Sequence, residues 1–430
     1  VLATPANDDG LGAWRVATDQ GEYGFEGISL DGYIDHQIKV LVKNNEILGV
    51  VGIIDRNPSF ESAYISKVEN GLVEVMIGGV TKTYQSNLLD DTYNDMLVDL
   101  HFENGAIIGA DIKKEEYKDK VLRIKEGYIE MKRNGLVPLA NELKIYDRTE
   151  EGAKWSSLNS IIVGSEDIEY AMGEGKIHTI TIKNKPKINN IRVLLTTTNF
   201  VDKIHKEVKI TSKEPFTVDF YGDRKTYEAG EIFDISQWKN KITKLNPRVT
   251  ILPSRGAKLE VITIQRQSKN PSYTGILEVC KEETGGYTLI NEVSMEEYVA
   301  GVIPSEMPTS YGLEACKVQA ITARSYAYIQ IANNKYKDYG GNIDDSTNNQ
   351  VYNNIAADDI SIRAAQETKG KMLLYNEQVI GANCFATSSG YTANFGEVWA
   401  NTDGTFPANT PVYLVSKKQY ESKELVDDMT

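Results

Sequence analysis

The chain is 430 residues long, 41% hydrophobic and 25% charged, ordinary usage for folded domains and more than one core usually holds, so two or three domains are expected. A net charge of -14 opposes nonspecific attraction to nucleic acid, and no nucleic-acid partner is expected. Cys280, Cys316 and Cys384 are too few for a disulfide framework and read as small core residues, no stretch is apolar enough to span a bilayer, and the opening at Val1 rather than Met suggests a trimmed, exported protein.

From 37 to 131, short β-branched runs alternate with tight-turn residues. Asn70-Gly71 and Asn104-Gly105 supply the positive φ of a type I′ hairpin turn, and Glu126-Gly127 is a weaker version. These signals predict an all-β N-terminal module over 1–146, which lacks a catalytic constellation and reads as a spacer or binding module. A polar stretch at 147–157 separates it from a second β-rich segment, 147–270, in part belonging to the domain that follows. Alternation over Lys176–Ile182 and a buried run at 191–195 argue for strands there. Further strands are expected at 207–211, 216–221, 258–264, 275–280 and 287–291, and no repeat of fixed period is evident.

The texture then changes to a mixed α+β core over 271–430, with helices expected to pack on an antiparallel sheet. Ser294 and Glu297 form a capping-box pattern that starts a short helix, expected to stop near Gly301. A long helix is expected over 309–333, its small residues Ala315, Cys316, Ala320, Ala323 and Ala327 permitting close packing. Lys317 and Arg324, seven apart, fall on one face of it. A further helix is expected over 357–368 with Gly370 beyond its end, then strands at 372–375 and 379–386.

All four histidines, His36, His101, His178 and His205, precede the mixed core. Its own segment therefore offers no imidazole for Ser-His or Cys-His catalysis, and no metal site is expected. Carboxylate chemistry remains. Glu306, in Pro304-Ser305-Glu306-Met307-Pro308, is expected in a proline-stiffened loop between two helices, which suits a catalytic group, although an acidic residue beside a helix N-terminus also stabilises the helix. Lys317 and Arg324 suit a carboxylate or sugar hydroxyl, or else ordinary ion pairs. Ser388-Ser389-Gly390-Tyr391-Thr392 has the inventory of a sugar-binding turn and also of a common loop. Asp344-Asp345-Ser346-Thr347-Asn348-Asn349 lacks the glycine and later glutamate of a calcium loop and reads as a polar loop.

The run from Val293 to Pro308, with Glu296-Glu297-Tyr298 and Pro304-Ser305-Glu306-Met307-Pro308, resembles the signature of the stage II sporulation protein D and amidase-enhancer family. The resemblance continues through Leu313-Glu314-Ala315-Cys316-Lys317-Val318-Gln319-Ala320, Ala323-Arg324-Ser325-Tyr326-Ala327, Gln350-Val351-Tyr352, Glu367-Thr368-Lys369-Gly370 and the Ser388 to Thr392 turn with Val398-Trp399. It covers roughly 191–416 and leaves the first 190 residues outside. It implies a lytic transglycosylase that cleaves the MurNAc-GlcNAc bond of peptidoglycan glycan strands with 1,6-anhydro-MurNAc formation, needs no cofactor, and has Glu306 as its acid/base. Lys317, Gln319, Arg324, Gln350, Tyr352, Ser388, Ser389 and Tyr391 then become candidates for lining the groove. The alternative is a non-catalytic amidase enhancer or wall-binding module partnered with an N-acetylmuramoyl-L-alanine amidase. Either places the protein outside the cell or in its envelope. Two departures stand out: some members carry Cys and His before Gln-Val-Tyr, where this chain has 344–349, and family domains generally continue past 413–416.

Overall fold

A computed structural model of the chain describes residues 1–418 except 9, 115–116, 167, 186–187, 268, 385–389 and 402. The architecture is α+β, with strands throughout the first 294 residues and the α-helices after them. The expected hairpins form: Asn70 and Gly71 have φ of 53° and 75°, Asn104 and Gly105 have 50° and 78°, and Gly127 has 72°. Each lies in the left-handed region that a tight turn between right-twisted strands requires.

The N-terminal part contains a duplication that sequence reading missed. A unit of hairpin, 3-10 turn and hairpin (Arg15–Thr18, Gly21–Phe25, Asp31–Tyr33, Gln37–Lys43, Glu46–Asp55) recurs as Leu72–Ile77, Val80–Gln85, Asp91–Tyr93, Met96–Glu103 and Ala106–Ile112. At one constant offset Tyr33 matches Tyr93, Asp35 matches Asp95 and Gly49 matches Gly109. Both aspartates have positive φ, 60° and 61°. The copies share backbone geometry at the turns and little else, because alternation in a strand can be satisfied by many apolar residues.

The next sheet runs from Tyr117–Asp119 to Lys176–Ile182. The expected division at 146 falls inside its longest strand, Gly135–Asp147, which pairs in parallel with Lys176–Ile182. The polar stretch after it turns back so that Lys154–Trp155 pairs with the same strand.

A third, seven-stranded sheet carries the helices. Its order is Asp223–Tyr227, Phe216–Phe220, Arg248–Pro253, Ile276–Lys281, Tyr287–Ser294, Asn190–Leu195 and Ile343–Asp344, antiparallel except for the last pair. A four-stranded sheet of Ile232–Asp234, Lys209–Thr211, Leu259–Val261 and Ser272–Tyr273 shares its core. Tyr287–Ser294 runs directly into helix α1, Met295–Glu306, which precedes α2, Leu313–Asn333, and α3, Asp359–Glu367. Val299, Val302, Ile303, Cys316, Ala320, Ala323, Ala327 and Ala364 pack into this core, and the small residues of α2 face it as their size suggested.

Three helix boundaries differ from expectation. α1 does not stop at Gly301 but continues through Pro304 to Glu306. Gly301 serves close approach rather than termination: a Cβ there would lie 2.7 Å from Cε2 of Tyr352. Pro304 is tolerated because it removes only one N–H in the final turn, while Val302 and Ile303 remain fully buried. α2 begins at Leu313 rather than 309, because Gly312 at φ 95° separates it from a 3-10 turn over Thr309–Tyr311. α3 starts after Asp358, whose carboxylate accepts from Ser361 N at 2.8 Å in a capping box. Where strands are expected at 372–375 and 379–386, Leu374–Tyr375 pairs with Gln378–Val379, and 385–386 lie outside the described residues.

The 117–182 sheet and the core sheet meet through buried charges. Arg248 bridges Glu130 (Nε to Oε1, 2.7 Å) and Glu278 (Nη1 to Oε2, 2.7 Å), Arg192 bridges Glu278 and Glu292, and Arg123 reaches Glu282 at 2.7 Å. Each of these four carboxylates has a guanidinium partner, as burial demands.

Candidate functional site

Ser294 begins the site. Its hydroxyl accepts from Glu297 N at 3.3 Å and donates to the Glu297 carboxylate at 2.7 Å, fixing the direction in which α1 leaves the sheet. Twelve residues later the helix ends on Glu306, which is half-buried and has no ion-pair partner among the described residues. Its Oε1 accepts the backbone N–H of Val351 at 2.6 Å. The expected loop setting is therefore corrected to the last turn of a helix.

The segment after Gln350 is docked along α1 by several independent bonds. Gln350 is buried and accepts from the Tyr298 hydroxyl at 3.1 Å. Tyr352, also buried, donates to Asn291 Oδ1 at 2.9 Å, and Asn353 N donates to Gly301 O at 3.1 Å. Ser305 Oγ donates to Gly301 O at 3.1 Å and accepts from the backbone N–H groups of Asn354 and Ile355, each at 3.1 Å. Pro304-Ser305-Glu306 and Gln350-Val351-Tyr352, distant in sequence, thus form one rigid unit behind the Glu306 carboxylate.

The other candidate residues divide by depth. Arg324 is 2% exposed, and its guanidinium reaches Glu296 of α1 (Nη2 to Oε2, 2.5 Å), Ala365 O of α3 (3.2 Å) and Lys371 O (3.0 Å). Lys317 shares its helix face, as the spacing required, and pairs with Glu314 at 2.8 Å and Glu367 at 2.6 Å. Both side chains clamp α3 onto α2. Gln319 is half-buried and its Nε2 lies 3.7 Å from Cys384 Sγ. Tyr391 is 62% exposed. Ser388 and Ser389 lie outside the described residues.

Sequence reading missed Tyr298, Tyr326 and Cys384 as neighbours of Glu306. Burial first, then the surrounding phenols and the Glu306 charge, holds Tyr298 well above the usual phenol range. Burial first, then Asp344, Cys384 and Glu306, raises Tyr326. Desolvation raises the Cys384 thiol, Gln319 opposes it, and the Glu306 carboxylate adds to it. These groups therefore stay protonated at neutral pH. Cys384 is exposed, unlike Cys280 and Cys316, so it is not the core residue expected. The polar 344–349 stretch is exposed at Thr347 and Asn348 but buried at its start. Asp345 is fully buried, accepts from Arg266 Nη2 and Thr196 Oγ1, both at 2.6 Å, and Asp344 accepts from Tyr336 at 2.8 Å.

Comparison with known proteins points to the same segment. The family described as Stage II sporulation protein matches residues 283–375. The amidase enhancer of Bacillus subtilis (strain 168) is 34% identical over 125 residues, 29% of this chain and 16% of that protein. Stage II sporulation protein D of the same organism is 35% identical over 126 residues, 26% of this chain and 37% of its own length, and its Bacillus amyloliquefaciens counterpart is 33% identical over 126. The chain thus spans well under two thirds of each relative. The segment that holds Glu306 and Gln350-Val351-Tyr352 is thus the part of the chain that matches the family described as Stage II sporulation protein and is similar to the amidase enhancer and stage II sporulation protein D.

Proposed function

We propose that the chain is a peptidoglycan lytic transglycosylase of the cell envelope with Glu306 as its single acid/base. The supporting observation is the state of that carboxylate: half-buried, oriented by the Val351 N–H at 2.6 Å, and unpaired with any cation among the described residues. Proton traffic needs such a group, positioned but not neutralised. A carboxylate half-open to solvent at a helix end is within reach of a polymer laid across the surface.

In this reading Glu306 donates its proton to the oxygen linking MurNAc to GlcNAc as that bond breaks. The resulting carboxylate takes the proton of the MurNAc C6 hydroxyl, whose oxygen attacks the anomeric carbon and closes the 1,6-anhydro ring. The proton account closes on one residue, so no second carboxylate is required. Lys317, Gln319 and Tyr391, with Ser388 and Ser389, would line the strand's path. Arg324, Gln350 and Tyr352 would act from behind, as positioning residues. Incubation with glycan strands free of stem peptides should yield anhydro-MurNAc ends by mass spectrometry, reduced about 100-fold or more in Glu306→Gln. Equal product, or none from either protein, would remove the catalytic reading.

The likeness to an amidase enhancer favours a second reading, in which the chain binds glycan and stimulates an N-acetylmuramoyl-L-alanine amidase without cutting. Faster amide cleavage by added amidase, unchanged in Glu306→Gln and with no anhydro ends, would establish it.

A further inference from the structure

Behind the segment that holds Glu306 lies an ion pair with one partner remote from it in sequence. Asp345 and Arg266 are both buried, and Arg266 Nη2 meets Asp345 Oδ2 at 2.6 Å. Thr196 gives the same carboxylate two more donors, its N–H at 2.9 Å and its hydroxyl at 2.6 Å. Burial pushes the Asp345 carboxyl up, and Arg266 leads the groups that oppose it.

Arg266, between the strands Leu259–Val261 and Ser272–Tyr273, is itself held from several sides. Its guanidinium donates to Thr196 O at 2.7 Å and to Thr197 O at 2.9 Å, and lies 4.1 Å from the centre of the Phe200 ring. Phe200 has a φ of 59°, a conformation that a bulky residue adopts only where its surroundings enforce it. The 197–200 turn, Arg266 and Asp345 are therefore fixed against one another.

From Asp345 the contact reaches Glu306 through the backbone. Tyr352 N donates to Asp345 O at 3.2 Å, and the N–H just before it, that of Val351, is the one Glu306 accepts. The same loop adds a second hold, because Gln267 N donates to Asn354 Oδ1 at 3.2 Å. Each N–H from Val351 to Ile355 is thus bonded, in turn to Glu306, Asp345, Gly301 and, twice, Ser305.

We infer that Arg266, which lies outside the matched segment 283–375, is a positioning residue for Glu306: through Asp345 it fixes the Val351 N–H that orients the carboxylate. The consequence for catalysis rests on the reading of Glu306 as acid/base. The consequence for Val351 does not.

Amide hydrogen exchange in the whole chain tests the geometry. In Arg266→Met, exchange over 351–355 should rise about tenfold or more while the core strand Ile276–Lys281 keeps its wild-type rate. Arg266→Lys restores the charge without the planar fork and should recover part of the protection. Where Arg266→Met leaves too little folded protein, adding Asp345→Asn removes the second charge so that none is buried alone, and the same local rise is expected. Wild-type exchange over 351–355 in the folded variants would overturn the inference. So would an equal rise over Ile276–Lys281, which would show a general loss of stability. On glycan strands, Arg266→Lys should lower kcat about tenfold with KM within about twofold, because a misplaced acid/base weakens the chemical step and not binding. A raised KM with unchanged kcat would also overturn it. Absence of anhydro ends from the wild type removes the catalytic reading alone, and the exchange result still decides the positioning.

Discussion

Replacing Arg324 by glutamine separates a bracing role from a ligand contact. The guanidinium is 2% exposed and ties α1, α3 and Lys371 to α2 through Glu296, Ala365 O and Lys371 O. Removing one partner of a buried ion pair costs about 3–5 kcal/mol, most of it from the charge left behind. The Glu296 side chain keeps 21% exposure and can recruit water, which places the loss at the lower end, about 3 kcal/mol. Arg324→Lys restores the charge without the planar fork and should recover only part of it. Urea unfolding followed by far-ultraviolet dichroism measures both. An Arg324→Gln protein within about 0.5 kcal/mol of the wild type, with weakened glycan binding, would refute the brace and return Arg324 to the groove.

Gly301→Ala should destabilise, although alanine in a helix interior normally gains about 1 kcal/mol over glycine. The new Cβ would stand 2.7 Å from the Tyr352 ring and push the segment that holds Glu306, so about 1–3 kcal/mol should be lost along with activity; a stabilised variant would show that the ring yields freely. Acid should weaken the contact between the two sheets. Burial works against ionisation of Glu278, but Arg192 and Arg248 outweigh it and draw its carboxyl down to about 2 from 4.5. Unfolded glutamate then binds protons that folded Glu278 refuses, so this stabilisation is complete above about pH 4.5 and fades as pH falls toward 2. Urea midpoints of wild type and Glu278→Gln should differ in pH slope across that window, and parallel slopes would discount the pairing.

Local features were legible where short-range chemistry decides them. Asn70-Gly71 and Asn104-Gly105 dictated their turns because few residues accept positive φ, and Ser294 with Glu297 marked the start of α1. The end of α1 was not legible. Gly301 and Pro304 are both helix breakers by local preference, and only the Tyr352 ring against one and the buried neighbours of the other keep the helix going to Glu306. The burial of Asp345 was not legible for a similar reason, since Thr196 and Arg266, which satisfy it, are remote in sequence.

By itself the sequence determined the hairpin turns, the α+β class, the family segment and Glu306 as the carboxylate to follow, because turn chemistry, periodicity and motif order are local properties of the chain. Only tertiary structure decided that Val351 holds Glu306 and that Arg324 braces helices from inside. It also decided that the N-terminal unit is duplicated. Those outcomes depend on which surfaces meet, and the same arginine or the same strand is buried or exposed according to the partner that packing brings beside it.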